Sequence, residues 1–263
     1  MKNIAIIVAA HKEYKMPESD IYLPLQVGAE GKEHFGYQTD NQGVNISEKN
    51  PYYCELTGLY WAWKNLDNDY IGLVHYRRHF TVEKFIPKGE DIKFDITLNR
   101  QQVENLLDKS DVILPKKRRY YIENLYDHYK HTMYVEPLDE TEKIIREKYP
   151  EYLFEFGKLK KRTIAHMFNM FIIKKDIADR YCQWLFDILF ELERRIDPKQ
   201  YDKFHARYLG RISELLLDVW INTNHIKYSE LKVMDMERIN WFNKGKSFIK
   251  AKFTGKKYGE SFK

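Results

Sequence analysis

The sequence predicts an α/β fold: a mostly parallel sheet flanked by helices, in a single domain that ends in a basic arm. Three observations predict it. Apolar runs of strand length recur at "IAIIVAA", "YIGLVHY", "DVILP" and "AHMFNMFIIKK". They are continuous rather than alternating, as in strands covered on both faces. Between and after them lie segments with apolar residues at helical spacing. The 263 residues fit one large domain or two small ones and are long enough to bury a core.

The first strand breaks at His11-Lys12-Glu13. Residues 15–50 are polar, with scattered Gly, Pro and Asn, and read as one irregular excursion whose length marks a working loop. "NPYYCELTGLYWAWKNL" reads as a single helix, with Asn50 as N-cap and Pro51 in the first position. Tyr53, Leu56, Tyr60 and Trp63 recur along it at helical spacing. The second strand opens "DYIGLVHYRRHF", preceded by a capping turn at Asp67-Asn68-Asp69. Pro115 ends the third strand, and residues 165–175 form the fourth. Ile177, Tyr181, Leu185, Ile188 and Leu192 make one stripe of a long helix. In "GRISELLLDVWI", Ile212, Leu215 and Val219 face the core, while Arg211, Glu214 and Asp218 share the opposite face. Residues 243–263 carry seven lysines and one acid, with Phe248, Phe253, Tyr258 and Phe262 interleaved. They read as a surface arm beyond a domain of residues 1–242.

Composition sets outer bounds. A net charge of +5 is mild and does not mark a nucleic-acid protein. Twenty tyrosines suit sugars and nucleobases as well as ordinary cores. No run approaches the roughly 18 apolar residues of a spanning helix, and the N-terminus lacks a signal-peptide pattern. Cys54 and Cys182 lie in apolar, helix-like surroundings and are expected as buried thiols. A cytoplasmic protein is expected.

In open α/β sheets, ligands bind beyond the carboxyl ends of strands. His11 and Lys12 end the first strand, His75 to His79 the second and "PKKRR" the third, with His166 and Asn169 in the fourth. Such a rim suits a polyanion such as a diphosphate. Arg77 and Arg78 offer fork-shaped donors, although either would serve equally as the partner of a nearby Asp. "PKKRRYY" is open to an RNA, an anionic lipid surface or a lipid-linked diphosphate. There is no glycine-rich phosphate loop, no nucleophile elbow, and no HExxH or CxxC. Glu55 amid aromatic residues, and Glu214, are the carboxylate candidates. By spacing alone Glu214 reads as half of a solvated pair with Arg211.

"NISEKNPYYCELTGLYWAWKN", "YIGLVHYRRHF", "AHMFNMFI" and "YLGRISELLLDVWI" together resemble a family of bacterial capsular and exopolysaccharide biosynthesis proteins, predicted glycosyltransferases of the DUF4422 type. The resemblance runs over most of residues 3–224. It implies a GT-A-like, Rossmann-type sheet that binds a nucleotide-sugar, with some members linked to inverting galactofuranose transfer from UDP-galactofuranose. Such folds carry a metal-holding Asp-x-Asp after a central strand. Here His75-Tyr76-Arg77 stands in that place, so a Mg or Mn cofactor is doubted. The paired arginines are expected to neutralise the departing diphosphate instead, Arg77 first, then Arg78 and His75. The resemblance makes Glu214 the catalytic base. It places His166, Asn169 and Glu55 in the acceptor or sugar pocket, and His11, Asp40, Asn45 and Tyr76 at the donor. It implies a lipid-linked or oligosaccharide acceptor, an anionic membrane surface under the basic arm, and no nucleic acid. Two other functions stay open: a non-catalytic partner in polysaccharide assembly, and an RNA-binding protein.

Overall fold

The computed structural model describes residues 1–237; the expected basic arm lies outside the described residues. Strand β1 (Ile4–Ala10) is buried along its whole length. Its alternation feeds two cores: Ile7 and Ala9 enter one, and Ile4, Ile6, Val8 and Ala10 the other. The stretch expected to be irregular contains two parallel strands, β2 (Tyr22–Gln26) beside β1 and β3 (Gln38–Thr39) beside β2. Pro24 hides β2 from a sequence reading. It is tolerated because β3 pairs only with Leu25 and Gln26, so no ladder donor is needed from residue 24.

The expected single helix is two, α1 (Asn50–Tyr53) and α2 (Leu56–Asn65), broken at Cys54 with φ 54°. Asn50 is not an N-cap but the first helical residue, and its amide donates to the Cys54 carbonyl at 2.8 Å. Gly58 lets α2 lie close on the sheet: a Cβ there would meet Val27 Cγ1 at 2.9 Å. Strand β4 (Tyr70–His75) runs parallel to β1. A two-residue turn, Tyr76–Arg77, then sends β5 (Arg78–Thr81) back antiparallel.

After α3 (Glu90–Asp95) comes α4 (Arg100–Leu107), which opens with an Asn99/Gln102 capping box. Val103 and Leu107 of α4 cover the second core. Strand β6 (Val112–Pro115) is followed by β7 (Arg118–Arg119) and by three helices, α5 (Leu125–Thr132), α6 (Glu136–Lys148) and α7 (Leu153–Lys161). Strand β8 (Ile164–Ala165) pairs with β7 apart from the main sheet. Strand β9 (Phe171–Lys174) starts later than expected, so His166 and Asn169 lie in the loop before it. The chain continues through α8 (Lys175–Arg195), α9 (Tyr208–Thr223) and β10 (Tyr228–Asp235). The expected stripe of α8 is buried throughout.

The main sheet has the order β3-β2-β1-β4-β5-β10-β6-β9, and β9 also pairs with β4. The last five strands therefore close into a ring. The sheet is mixed rather than mostly parallel: β4–β5, β5–β10, β6–β9 and β9–β4 are antiparallel. The cause is local, because a two-residue turn can only return a strand antiparallel, whereas a parallel return needs a long crossover. Helix α6 packs on α8, and α7 on α9. Neither cysteine forms a disulfide; Cys182 is buried and Cys54 half-buried. Among the described residues no helix is long and apolar enough to cross a membrane.

A candidate active site at the strand ends

The break between α1 and α2 turns Glu55 inward at the carboxyl end of β4, beside His75. The loop before β9 meets it there. Phe168 and Asn169 are consecutive non-glycine residues with positive φ, 82° and 50°. Among the described residues four non-glycines have positive φ, and three of them, Cys54, Phe168 and Asn169, border this site. Asn tolerates that region, whereas Cys and Phe are strained in it. The strain aims Asn169, whose amide donates to Glu55 Oε1 at 2.7 Å and to the Gly210 carbonyl at 3.1 Å. Its carbonyl accepts from Ser213 Oγ at 2.6 Å. His75, at the end of β4, places Nε2 3.6 Å from Glu55 Oε1.

Glu214 lies on α9 beside this network, 3.8 Å from Arg211 Nη1. The pair that spacing alone favours is present, but its glutamate is buried rather than solvated. Glu55 and Glu214 are each only 8% exposed, and Asp218 is buried as well. The two glutamates are driven apart electrostatically. Burial works to raise Glu55, but the charge of His75 and hydrogen bonds from His75 and Asn169 outweigh it and hold the carboxyl at about 2. Burial pushes Glu214 up; Arg211 opposes this and the negative charge of Glu55 adds to it. One carboxylate is thus fixed in its ionised form, and its neighbour is a proton acceptor of raised basicity.

The hairpin arginines are not free. Arg77 Nη1 pairs with Glu237 Oε2 at 3.3 Å and lies over the Tyr76 ring. Arg78 uses Nε to bond Asp235 Oδ1 at 3.0 Å and lies over Phe168 at 4.5 Å. Its terminal nitrogens have no protein partner among the described residues. Arg78, not Arg77, lines a cleft of about 510 Å³. Among the described residues four other cations face that cleft, Lys84, Lys116, Arg118 and Lys232, against one acid, Asp235. Neither glutamate lines the cleft; Arg118 lies over Tyr120, and Tyr120 and Arg78 are both within electrostatic reach of Glu214.

Other expected site residues serve the scaffold. Asp40 is fully buried and accepts from Gly28 N, Ala29 N and Ser47 Oγ at 2.8, 3.0 and 2.5 Å, so it staples the loop after β2 and cannot touch a donor directly. Asn45 closes a local turn, donating to the Gly43 carbonyl and accepting from Ser47 N. His166 is buried: Nδ1 meets Asp218, and Nε2 lies 2.9 Å from Glu230 Oε1. It clamps the loop that carries Asn169 rather than lining a pocket. His79 is buried between Tyr22 and Phe94 and pushed down to about 4 by burial, because strand alternation turns it away from Arg78. His11 stays on the rim, with Nε2 3.4 Å from the Tyr76 hydroxyl. Burial, then Arg77 and Lys12, hold His11 below the ordinary histidine range. Arg207, which no sequence pattern marks, donates from Nε to Cys54 Sγ at 3.0 Å.

The residues after β4 do not fit a divalent-cation site of the expected kind: His75, Tyr76 and Arg77 offer no carboxylate pair. Among the described residues no group of three or more His, Cys, Asp and Glu side chains is arranged to hold a metal ion.

No curated protein matches the chain. One solved structure, described as an apo WbbM bifunctional glycosyltransferase, superposes with a TM-score of 0.82 at 30% identity over 90% of this chain. The match covers 46% of that longer chain, so this chain spans a little under half of it. Residues 5–225 match the family model for a domain of unknown function, DUF4422. With a single-domain α/β fold similar to a glycosyltransferase and a family match over most of its length, the chain belongs to the DUF4422 family.

Proposed function

We propose that the chain is an inverting glycosyltransferase that moves a sugar from a UDP-linked donor to a saccharide hydroxyl. The observation that carries this reading is the pair of buried glutamates, one held ionised and one raised, with Glu214 in electrostatic reach of Arg78, which lines a cationic cleft. Glu214 takes the proton of the acceptor hydroxyl as that oxygen attacks the anomeric carbon. The bond from the anomeric carbon to the UDP oxygen breaks, and the electron pair leaves on the diphosphate. Arg78 and Arg118 meet that developing charge. Arg78 comes first, because among the described residues its terminal nitrogens are unengaged, whereas Arg77 must give up Glu237. Glu55 stays ionised and fixes His75 and Asn169. His11, on the rim over β1, borders the donor; Tyr76 is buried beneath Arg77 and supports His11 rather than touching the donor.

The resemblance to polysaccharide-assembly proteins makes UDP-galactofuranose the first donor to test, with a capsular, exopolysaccharide or O-antigen chain as acceptor class and a membrane contact through the basic arm. The experiment is UDP release from a panel of UDP-sugars, with oligosaccharide acceptors and with and without EDTA. Turnover that depends on Glu214 supports the proposal. Binding of UDP-sugars without turnover under any condition replaces it with the reading of a non-catalytic partner.

A further inference from the structure

Two loops border the same cleft, and both carry exposed apolar tips beside cations. Residues 82–88, "VEKFIPK", present Phe85 at 89% exposure together with exposed Val82 and Ile86. Residues 116–122, "KKRRYYI", present Tyr121 at 87% exposure together with exposed Ile122. Lys84, Phe85 and Ile86 from the first loop and Lys116 and Arg118 from the second line the cleft between them. The two segments hold six cations and a single acid, Glu83. Large apolar side chains left in water beside such charge mark an interaction surface.

We propose that these two loops seat the protein on an anionic lipid bilayer, with the cleft opening toward the headgroups. The chemistry matches in both parts. Phe, Ile, Val and Tyr tips enter the boundary between headgroup and acyl chain. Lysines and arginines at their bases meet lipid phosphates, with a gain that fades within a Debye length of the surface. A single-stranded RNA would share the cations but would be held by aromatic faces. Val82, Ile86 and Ile122 offer none, and they are the residues an acyl boundary accepts. The seat stands on the loops alone and does not depend on glycosyl transfer.

The test is co-sedimentation of the full chain with vesicles of phosphatidylcholine containing about one-third phosphatidylglycerol, against pure phosphatidylcholine. Binding to the anionic vesicles, weakened by salt, is expected. Two double variants, Phe85→Ser/Ile86→Ser and Tyr121→Ser/Ile122→Ser, are each expected to cut the partition coefficient at least about tenfold. Their side chains are exposed, so circular dichroism and thermal midpoints should match the parent. If both variants bind as the parent does, another face or the basic arm holds the vesicle and the loop seat is wrong. Absence of vesicle binding overturns it as well, as does tight RNA binding that is lost in the variants while vesicle binding is kept.

Discussion

Replacing Glu214 with Gln separates a catalytic carboxylate from a structural one, because the two roles move activity and stability in opposite senses. Gln keeps the shape of the side chain and removes the proton acceptor. Positioned base catalysis is worth about 10²–10⁴ in rate, or roughly 3–5 kcal/mol of barrier. Stability responds differently. Burial raises Glu214 above the ordinary 4.5, so the folded state binds its proton more tightly than the unfolded chain does. The group costs nothing where both states are protonated. The cost grows as pH rises through the unfolded value and is complete above the folded one. At pH 7, Glu214→Gln therefore leaves the melting temperature unchanged or raises it, since the half-exposed Arg211 can return to water. The assay is kcat/KM for UDP release across pH, with thermal denaturation in parallel. The parent should show an acidic limb above pH 4.5, and the variant should lose it. A rate within tenfold of the parent, or a clear fall in melting temperature, would refute the reasoning.

Three other substitutions probe the surroundings. Glu55→Gln should destabilise by about 3 kcal/mol at pH 7, because a carboxyl held at about 2 rather than 4.5 adds stability above its unfolded value and loses it as pH falls toward 2; melting curves at pH 7 and pH 3 should show the deficit shrinking in acid. Asp40→Ala removes three buried bonds and leaves two backbone N–H groups unpaired, a loss of about 3–5 kcal/mol to be read from urea midpoints. Arg78→Ala should lower kcat about 10²-fold with the fold intact, and Arg77→Ala should cost less; steady-state kinetics with a UDP-sugar that show the reverse order would return the leaving-group role to Arg77.

Much of the fold is legible in the sequence, and what is not has physical reasons. Continuous apolar runs announce β1, β4, β6 and β9, because each is buried on both faces. β10 escapes, since "YSELKVMD" mixes half-buried polar and apolar residues, as a strand facing both cleft and core must. β2 escapes through Pro24. The closure into a ring escapes because the Tyr76–Arg77 turn lacks the Asn-Gly or Gly that usually signals a hairpin. The helix break at Cys54 carries no glycine or proline at the break itself. It is held open by Asn50 and by Thr57 Oγ1, which also donates to the Cys54 carbonyl at 3.2 Å. Those bonds are local, but Asn and Thr at such spacing are equally at home in an unbroken helix, so they do not announce the break.

The stretch "YIGLVHYRRHF" shows why the site was legible only in part. An apolar strand runs into His, Tyr, Arg, Arg and His because a two-residue turn gives successive side chains different surroundings. His75 goes to Glu55, Tyr76 under Arg77, Arg78 to the cleft and His79 into the core. Residue type alone treats the two histidines as equals and the two arginines as equals, whereas register separates them. The same holds for the acids. Glu214 and Asp218 are one turn apart on α9, yet Asp218 is spent on the His166 clamp, and among the described residues Glu214 has no ion pair shorter than the 3.8 Å one to Arg211. A buried carboxylate with so weak a partner costs stability, whereas a full salt bridge would have lowered its proton affinity and ended its use as a base. Tying Glu55 tightly and Glu214 loosely produces the difference in basicity that proton abstraction at neutral pH requires. That asymmetry, more than the number of arginines nearby, gives the strand ends their chemistry.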